Sequence, residues 1–450
     1  MTVTLAYESG TIAIESDRDS DPAIANLPGA EYDPRSKTAR APAYHYAAIR
    51  DVLRRVDAAV DDRVLDSEAV SLSTSYDLRE YQQEALDAWL THTRRGVLEL
   101  PTGAGKTVIA LAAMAAVSTP TLVVVPTIDL LEQWQRELET EFDCPIGRLG
   151  GGEQRVEPVT VSTYDSAYLR ADELGDRFGL VVFDEVHHLG ADGYQDIARL
   201  LAAPDRLGLT ATFERPDGAH EAIRELVGPR VYDIAVDDLA GDFLAPYEIR
   251  RIEVELTPAE RADYDDAQGT FVEYVRQSNI SFSSGSDYLQ LVKRSGTDPQ
   301  AREALLAKQR ARELMMNAEN KRHHLARILD RHREDRIIVF TAHTELVYRL
   351  STEFLLPAIT NETGAKERRE ILERFREGTY SRVVAANVLD EGVDVPDANV
   401  AVVLSGSGSE REFTQRLGRI LRPKADGGRA VLYELVSTET AEERVAERRR

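Results

Sequence analysis

The sequence predicts an α/β protein with two tandem parallel-sheet halves, a small accessory domain in front and a helical insertion in the second half. Three observations lead there. Apolar strand-like runs alternate with amphipathic stretches over 96–212, and the same alternation returns over 336–436. A long polar helical region separates the two series, and a short stretch of strict alternation precedes them. Finally, the loop Leu100-Pro101-Thr102-Gly103-Ala104-Gly105-Lys106-Thr107 stands between a strand and an alanine-rich helix, the arrangement that cradles phosphate.

Composition bounds the rest. A chain of 450 residues has length for about three domains. No apolar run approaches the roughly 20 residues that span a bilayer. The opening residues lack a basic region followed by an apolar one, so no secretory signal is expected and the cytoplasm is the expected location. One cysteine, Cys144, excludes disulfide frameworks, cysteine-rich zinc sites and iron–sulfur clusters. Metal binding therefore falls to carboxylates and nucleotide phosphates, which points to Mg²⁺. Net charge is −23, and only seven of the 55 basic residues are lysine. Proteins that grip nucleic acid are usually basic, but surface acid is also a device of salt adaptation. In molar salt the Debye length is only about 3 Å, which screens repulsion from DNA. A salt-adapted intracellular protein is the favoured reading, and an acidic enzyme with no polymer substrate is the plainer one.

Taken in order, Val3, Leu5 and Tyr7 alternate up to a turn at Glu8-Ser9-Gly10, and Ile12 and Ile14 follow, which predicts a hairpin. Residues 22–42 read as irregular. From Tyr44 the spacing of Ile49, Leu53, Val56 and Val60 predicts a helical stripe. Such a domain binds DNA or docks on a neighbour, and the residues leave both open.

The first α/β half opens at Leu78-Arg79-Glu80-Tyr81-Gln82, leading into a helix that ends near Leu90. The Gln82 amide offers a donor and an acceptor together, which suits adenine. In the loop after strand 96–100, Gly103 and Gly105 permit turns that a Cβ would block. Lys106 then reaches the β- and γ-phosphates, and the Thr107 hydroxyl suits Mg²⁺. Further strands are expected at 121–127, 159–163, 180–184 and 207–212. The run Leu180-Val181-Val182-Phe183-Asp184-Glu185 delivers two acids to a strand's carboxyl end, where open α/β sheets bind ligands. Asp184 suits Mg²⁺, and Glu185 suits orienting and deprotonating water. His187 and His188 have no cysteine or third histidine at ligand spacing. His187 reads as a coupling residue that hydrogen-bonds across the site, and His188 as a surface or capping residue. Thr210 and Thr212 offer hydroxyls to link Asp184 to a nucleic-acid path.

A linker is expected around 236–245 and a new strand from Arg251. Thr257-Pro258-Ala259-Glu260 carries two helix-start signals, an N-cap with Glu at N3 and a proline at N1. The helical region to about Asn317 contains Phe271, Tyr274 and Tyr288, which stack on bases or, more commonly, pack on a neighbouring helix. Strands follow at 336–341, 358–360, 383–388, 400–404 and 430–436, with helices at 345–355 and 367–377. The loop from Asn387 through Gly392 and Asp394 to Pro396 is glycine-hinged. In Gln415-Arg416-Leu417-Gly418-Arg419-Ile420-Leu421-Arg422, Arg419 and Arg422 share a helix face. That suits a guanidinium fork at a γ-phosphate, a device contributing about 10³ to 10⁵ in rate in related systems.

With these blocks in this order the sequence resembles a superfamily 2 helicase, and more narrowly the XPB (xeroderma pigmentosum group B) family in its short archaeal form. The narrowing rests on Asp184-Glu185-Val186-His187-His188, Leu209-Thr210-Ala211-Thr212-Phe213-Glu214-Arg215, Phe340-Thr341-Ala342-His343, 388–396 and Ser405-Gly406-Ser407-Gly408-Ser409. The resemblance covers about 78–436. It implies two tandem RecA-like domains facing across a cleft, with domain ranges of 1–75 for a damage-recognition-like domain, 76–238 for the ATP-binding lobe and 239–450 for the second lobe. A thumb-like insertion falls at about 257–317. Lys106, Asp184, Glu185, Arg419 and Arg422 are then catalytic. Nucleotide contacts fall on Arg79, Gln82, Pro101, Thr102, Gly103, Ala104, Gly105, Lys106, Thr107, Gly392 and Asp394. His187, Thr210, Thr212 and Gln415 couple the lobes. DNA contacts fall on Thr127, Thr163, Arg215, Asp217, Thr341 and Asn387.

The activity implied is ATP- and Mg²⁺-dependent 3′-to-5′ DNA translocation or unwinding in nucleotide excision repair. The partners implied are single-strand–duplex DNA junctions and a nuclease, with no membrane, for a monomeric motor. One departure stands out: the family's Arg-Glu-Asp element is Arg215-Pro216-Asp217 here. It bears on strand separation more than on hydrolysis, since a carboxylate is lost and the backbone stiffened. A nucleotide-gated scaffold that recruits a nuclease with little unwinding, and an RNA helicase or remodeller on the same core, stay open.

Overall fold

The computed structural model describes residues 2–16, 26–34, 38–66, 69–101, 103–191, 193–214, 218–234, 247–278, 285–386, 398–404 and 430–443. These fall into two compact units, one ending at 234 and the other starting at 247.

The first unit begins with a five-stranded sheet of order β3-β4-β2-β1-β5. Its strands are β1 (Thr2–Glu8), β2 (Thr11–Ser16), β3 (Glu31–Asp33), β4 (Thr38–Pro42) and β5 (Ala59–Arg63), with helix α1 (Tyr46–Arg55) before β5. The β1–β2 hairpin turns on Ser9 and Gly10, both at positive φ, the twist that a two-residue hairpin loop requires. Two expectations fail here. Residues 22–42 are not simply irregular, because β4 pairs with β2 from Thr11 to Ile14 and so covers that edge. The stripe from Ile49 holds only to Leu53. α1 stops at Arg55, and Val56 and Val60 are 54% and 38% exposed. Asp57 takes φ 52 and redirects the chain into β5, parallel to β1.

This small sheet is docked on the α/β part of the same unit. The Tyr7 hydroxyl donates to the carbonyls of Leu200 (3.0 Å) and Asp172 (3.2 Å), and a Cβ on Gly175 would lie 1.7 Å from the phenol oxygen. Burial pushes the Tyr7 pKa up to about 12. Ala202 joins the accessory domain's core, and Tyr44 donates to Glu225. Docking is therefore a property of this domain.

The α/β part holds α2 (Glu80–Thr91), β6 (Arg95–Glu99), α3 (Lys106–Val117), β7 (Thr121–Val125), α4 (Ile128–Glu141), β8 (Ile146–Gly150), β9 (Glu153–Arg155) and β10 (Val159–Thr163). It continues with α5 (Tyr164–Leu169), β11 (Leu180–Asp184), α6 (Gln195–Leu200), β12 (Asp205–Thr210), α7 (His220–Leu226) and β13 (Arg230–Asp233). The sheet order is β13-β6-β12-β11-β7-β10-β8-β9, parallel except for β9. Strands β7, β10 and β11 are buried throughout, as parallel strands covered on both faces must be. Val123, Val161 and Val182 pack against Ile109 and Trp134 on one face, while Val124, Val181 and Phe183 pack against Leu189 and Ile197 on the other. The Arg206 guanidinium is fully buried. It donates to the carbonyls of Ala198, Leu201, Ala203 and Leu226 at 2.6–3.1 Å, and burial holds its pKa well below the usual range.

The second unit has β14 (Tyr247–Val254), then α8 (Pro258–Gln277), α9 (Gly285–Ser295), α10 (Pro299–Met316) and α11 (Glu319–Arg331). It continues with β15 (Ile337–Thr341), α12 (Thr344–Phe354), β16 (Ala358–Ile359), α13 (Ala365–Arg376), β17 (Arg382–Ala386), β18 (Val400–Val403) and β19 (Ala430–Ser437). Its sheet, β14-β19-β18-β15-β17-β16, is parallel throughout. The expected start of the insertion forms a full capping box, with Thr257 N donating to Glu260 Oε2 (2.9 Å) and Glu260 N to Thr257 Oγ1 (3.3 Å). The other Glu260 oxygen accepts from Glu319 N (2.9 Å), tying α8 to α11. Phe271 lies under Lys308 of α10 at 4.9 Å, a packing role.

Lys321 of α11 is a buried charge of this unit. Its Nζ donates to Leu404 O (2.6 Å) and Glu442 Oε2 (2.7 Å), and burial outweighs the carboxylate in lowering its pKa. Glu442 also accepts from Ser437 N (3.0 Å), so one clasp joins α11 to the ends of β18 and β19. Lys321→Met removes the counter-charge of the largely enclosed Glu442 carboxylate and is expected to cost about 3–5 kcal/mol, read from the urea midpoint. Adding Glu442→Gln is expected to recover part of that loss.

Candidate nucleotide and nucleic-acid site

The phosphate loop leaves β6 at Leu100 and enters α3 at Lys106. Gly103 and Gly105 sit at φ 81 and 77, the left-handed region where a Cβ is unfavourable. Gly105 is also the N-cap of α3, and a Cβ there would stand 2.4 Å from Gln82 Nε2. The Ala104 carbonyl accepts from both Tyr81 OH (2.8 Å) and Gln82 Nε2 (3.0 Å). Gln82 Oε1 accepts from Arg79 N (3.0 Å) and closes the capping box of α2. The Gln82 amide, only 4% exposed, thus braces the loop with its nitrogen and the N-cap of α2 with its oxygen. Lys106 Nζ rests on Leu100 O at 3.1 Å, an anchor of the kind a phosphate oxygen replaces.

The two acids of the second motif come off β11, and both are 7% exposed. Asp184 Oδ1 accepts from Glu185 N (3.0 Å), and Asp184 Oδ2 from Trp134 Nε1 (2.8 Å). The Tyr164 hydroxyl donates to Asp184 O (3.2 Å). Its pKa lies well above the usual value, from burial first and then from the charges of Asp184 and Glu185. Glu185 sits at φ 47, ψ 56, left-handed without being glycine, a strained placement of the sort found at functional sites. His187 Nδ1 lies 3.3 Å from Thr210 Oγ1 and 3.5 Å from Glu185 Oε2, while Thr210 Oγ1 donates to Thr212 O (2.9 Å). His188 stacks against His187 and Tyr164 at ring separations of 4.5 and 5.8 Å.

Strand order brings these pieces to one edge. β12 lies between β6 and β11, so the phosphate loop, Thr210 and Asp184 occupy adjacent carboxyl ends, with Leu100 N bonded to Thr210 O at 3.0 Å. Neighbouring strands are about 4.8 Å apart, which sets Asp184 about 10 Å along from the loop. Continuing the same way, β7 runs into Thr127, β10 ends at Thr163 and β8 at Gly150. Thr127 Oγ1 caps α4 and Thr163 Oγ1 caps α5.

The sequence reading missed Gly150-Gly151-Gly152. All three have positive φ, a Cβ on Gly150 would meet Thr163 Cγ2 at 3.1 Å, and the space beside Gly152 is open. The triple glycine was the available signal, and only strand order shows that it neighbours Thr163.

Thr341 closes β15 fully buried, with His343 N donating to its hydroxyl at 3.4 Å. Thr102, Arg215, Asp217, Asn387, Gly392, Asp394, Gln415, Arg419 and Arg422 lie outside the described residues. Among the described residues no cluster of three or more His, Cys, Asp or Glu stands ready for a metal. Asp184 and Thr107 are the oxygen donors at this edge that could hold magnesium. Among the same residues no helix is long and apolar enough to cross a membrane.

Gly105→Ala is expected to force φ +77 on an L-residue, at a cost of about 1–2 kcal/mol. It is also expected to displace Gln82 from Ala104. Binding of a fluorescent ADP analogue is expected to weaken by about 5- to 30-fold if that cost falls on the nucleotide-bound loop, since 1.4 kcal/mol is a factor of ten. Gln82→Ala added to it is expected to relieve the contact but not the φ cost.

Three family matches tile most of the chain. The xeroderma pigmentosum group B helicase damage recognition domain matches residues 5–64. The type III restriction enzyme res subunit matches 75–215, and the ERCC3/RAD25/XPB C-terminal helicase matches 298–450. The DNA 3′-5′ translocase XPB2 of Sulfurisphaera tokodaii is 44% identical over 95% of this chain and 97% of its own length. The DNA 3′-5′ helicase XPB of Mycobacterium tuberculosis is 32% identical over 86% of this chain, which spans 66% of that relative. The Pyrococcus furiosus Hef helicase domain superposes with TM-score 0.58 at 19% identity, over 83% of this chain and 98% of that structure, a likeness of fold. The N-terminal sheet, the phosphate loop with its paired acids and the second parallel sheet thus have counterparts along one kind of protein, and the chain belongs to the XPB family of helicases.

Proposed function

We propose that this protein is an ATP-dependent DNA motor of the XPB type, moving 3′ to 5′ as a monomer in the cytoplasm and serving DNA repair with a nuclease partner. The observation that carries this is the shared sheet edge, where nucleotide groups (Lys106, Thr107, Asp184, Glu185) continue into Thr127, Gly150–Gly152 and Thr163. A change in nucleotide state at one end of such an edge bears on strands bonded side by side to the other.

Each residue has a definite task. Lys106 leaves the Leu100 carbonyl to neutralise phosphate charge, and the amides of 103–106 donate to phosphate oxygens. Glu185 orients the attacking water and takes its proton. His187 and Thr210 tie Glu185 to β12. Asp184 and Thr107 would hold magnesium, which would offset phosphate charge. Arg419 and Arg422, which lie outside the described residues, remain the sequence-based candidates for the remaining positive charge.

ATPase assays with single-stranded, forked and duplex DNA, and with RNA, test this across salt concentrations. DNA is expected to stimulate turnover and RNA to do little. Lys106→Ala and Glu185→Gln are expected to keep the fold and lose turnover, the latter by about 10²- to 10⁴-fold. Substantial DNA-stimulated activity in either variant would overturn the assignment.

The Arg215-Pro216-Asp217 departure favours a second reading, movement along DNA with little strand separation. The expected outcome is normal DNA-stimulated ATPase with weak displacement of a fork strand, raised by Pro216→Glu. No change on that substitution would remove the argument.

A further inference from the structure

The chain has two tryptophans, both buried, and they satisfy their indole N–H groups in different ways. Trp89 donates to a main-chain carbonyl, Arg206 O, at 2.9 Å, which satisfies its buried indole N–H. Trp134 donates instead to the side chain of Asp184, at 2.8 Å to Oδ2, with its ring 1% exposed. The partner is the acid that stands at the phosphate-loop edge.

A carboxylate at the end of a short side chain has a broad, roughly two-fold terminal torsion. Here that torsion is held from both sides, by Glu185 N on Oδ1 and by the indole on Oδ2. The indole is itself closely packed. It packs within the core under β7, β10 and β11, on a helix capped at Thr127. Tyr164, the first residue of α5, holds the main chain of the same aspartate.

We propose that Trp134 is a positioning residue for the metal-binding carboxylate, holding Asp184 in the rotamer that receives Mg²⁺ with nucleotide, and that its emission reports the arrival of the ion. The proposal rests on the reading of this edge as a MgATP site. An indole that merely found an acceptor would stabilise the fold without affecting metal affinity. Groups that orient a metal ligand from behind typically contribute about 10- to 100-fold in affinity.

The test uses the full chain, Trp134→Phe and Trp89→Phe, with Mg²⁺ titrated at fixed ADP while indole emission and a fluorescent ADP analogue are followed. In Trp89→Phe, whose emission comes from Trp134 alone, Mg²⁺ with ADP is expected to change the indole signal. In Trp134→Phe the Mg²⁺-dependent signal is expected to vanish. The Mg²⁺ needed for half-maximal nucleotide binding is expected to rise about 10- to 100-fold, with metal-free ADP binding preserved. A half-saturation within about twofold of the parent would overturn the proposal. So would a Trp134 signal blind to Mg²⁺ in Trp89→Phe while nucleotide binding itself depends on Mg²⁺, a result that holds even if Trp134→Phe fails to fold. If the parent chain binds ADP with no dependence on Mg²⁺, the MgATP reading fails, and this proposal with it.

Discussion

The parallel register of β6, β12 and β11 is the constraint on which the site depends. Leu98 faces Leu209, and Leu209 faces Asp184, so the three strands finish level. A slip of one residue would turn every side chain to the opposite face, carrying Asp184 away from the phosphate loop. Gly208 helps to hold the register: a Cβ there would come within 3.0 Å of Val97 Cγ2 and 3.2 Å of Val186. The ladder ends in the bond from Leu100 N to Thr210 O, which joins the strand carrying the loop to the strand carrying the coupling hydroxyls.

Polar groups at this edge are used against one another rather than left to solvent. Gln82, Tyr81 and Arg79 hold the loop, Trp134 and Glu185 hold Asp184, and His187 bridges to Thr210. Buried polar networks of this kind are costly when partly satisfied and rigid when complete. Glu185 in the left-handed region is the strained member, held there between a buried strand and the short turn at Val186–Gly190. The Arg206 guanidinium shows the same economy away from the site: four main-chain carbonyls surround a charge that burial strongly disfavours.

The accessory domain and the helical insertion are held by different means. Tyr7 threads its hydroxyl onto two carbonyls of the α/β part, and the approach is possible because residue 175 has no side chain. The insertion is tied by Glu260, which caps its own helix and then the start of α11, and by Arg261, which donates to the carbonyls of Thr438 and Glu439. Neither arrangement is set by the net charge of −23 as such, since both rest on specific hydrogen bonds. It bears on solubility and on how the surface meets DNA at a given salt concentration.

Much of this was legible in the chain because it is local. The phosphate loop, the paired acids and the Thr257–Glu260 capping box each depend on residues a few positions apart, so composition and spacing suffice. The stripe beyond Leu53 misled because Val56 and Val60 keep helical spacing while the backbone has already turned at Asp57. The β4 pairing was hidden because its partner strand lies about 25 residues earlier, and no short-range pattern encodes that. By itself the sequence singled out the candidate groups: a lysine, two acids, a hydroxyl and glycines that permit the turn. Tertiary structure alone decided that Trp134 meets Asp184 and that Gly150 meets Thr163, because both contacts follow from strand order, and strand order is settled by which buried faces pack together rather than by neighbours along the chain.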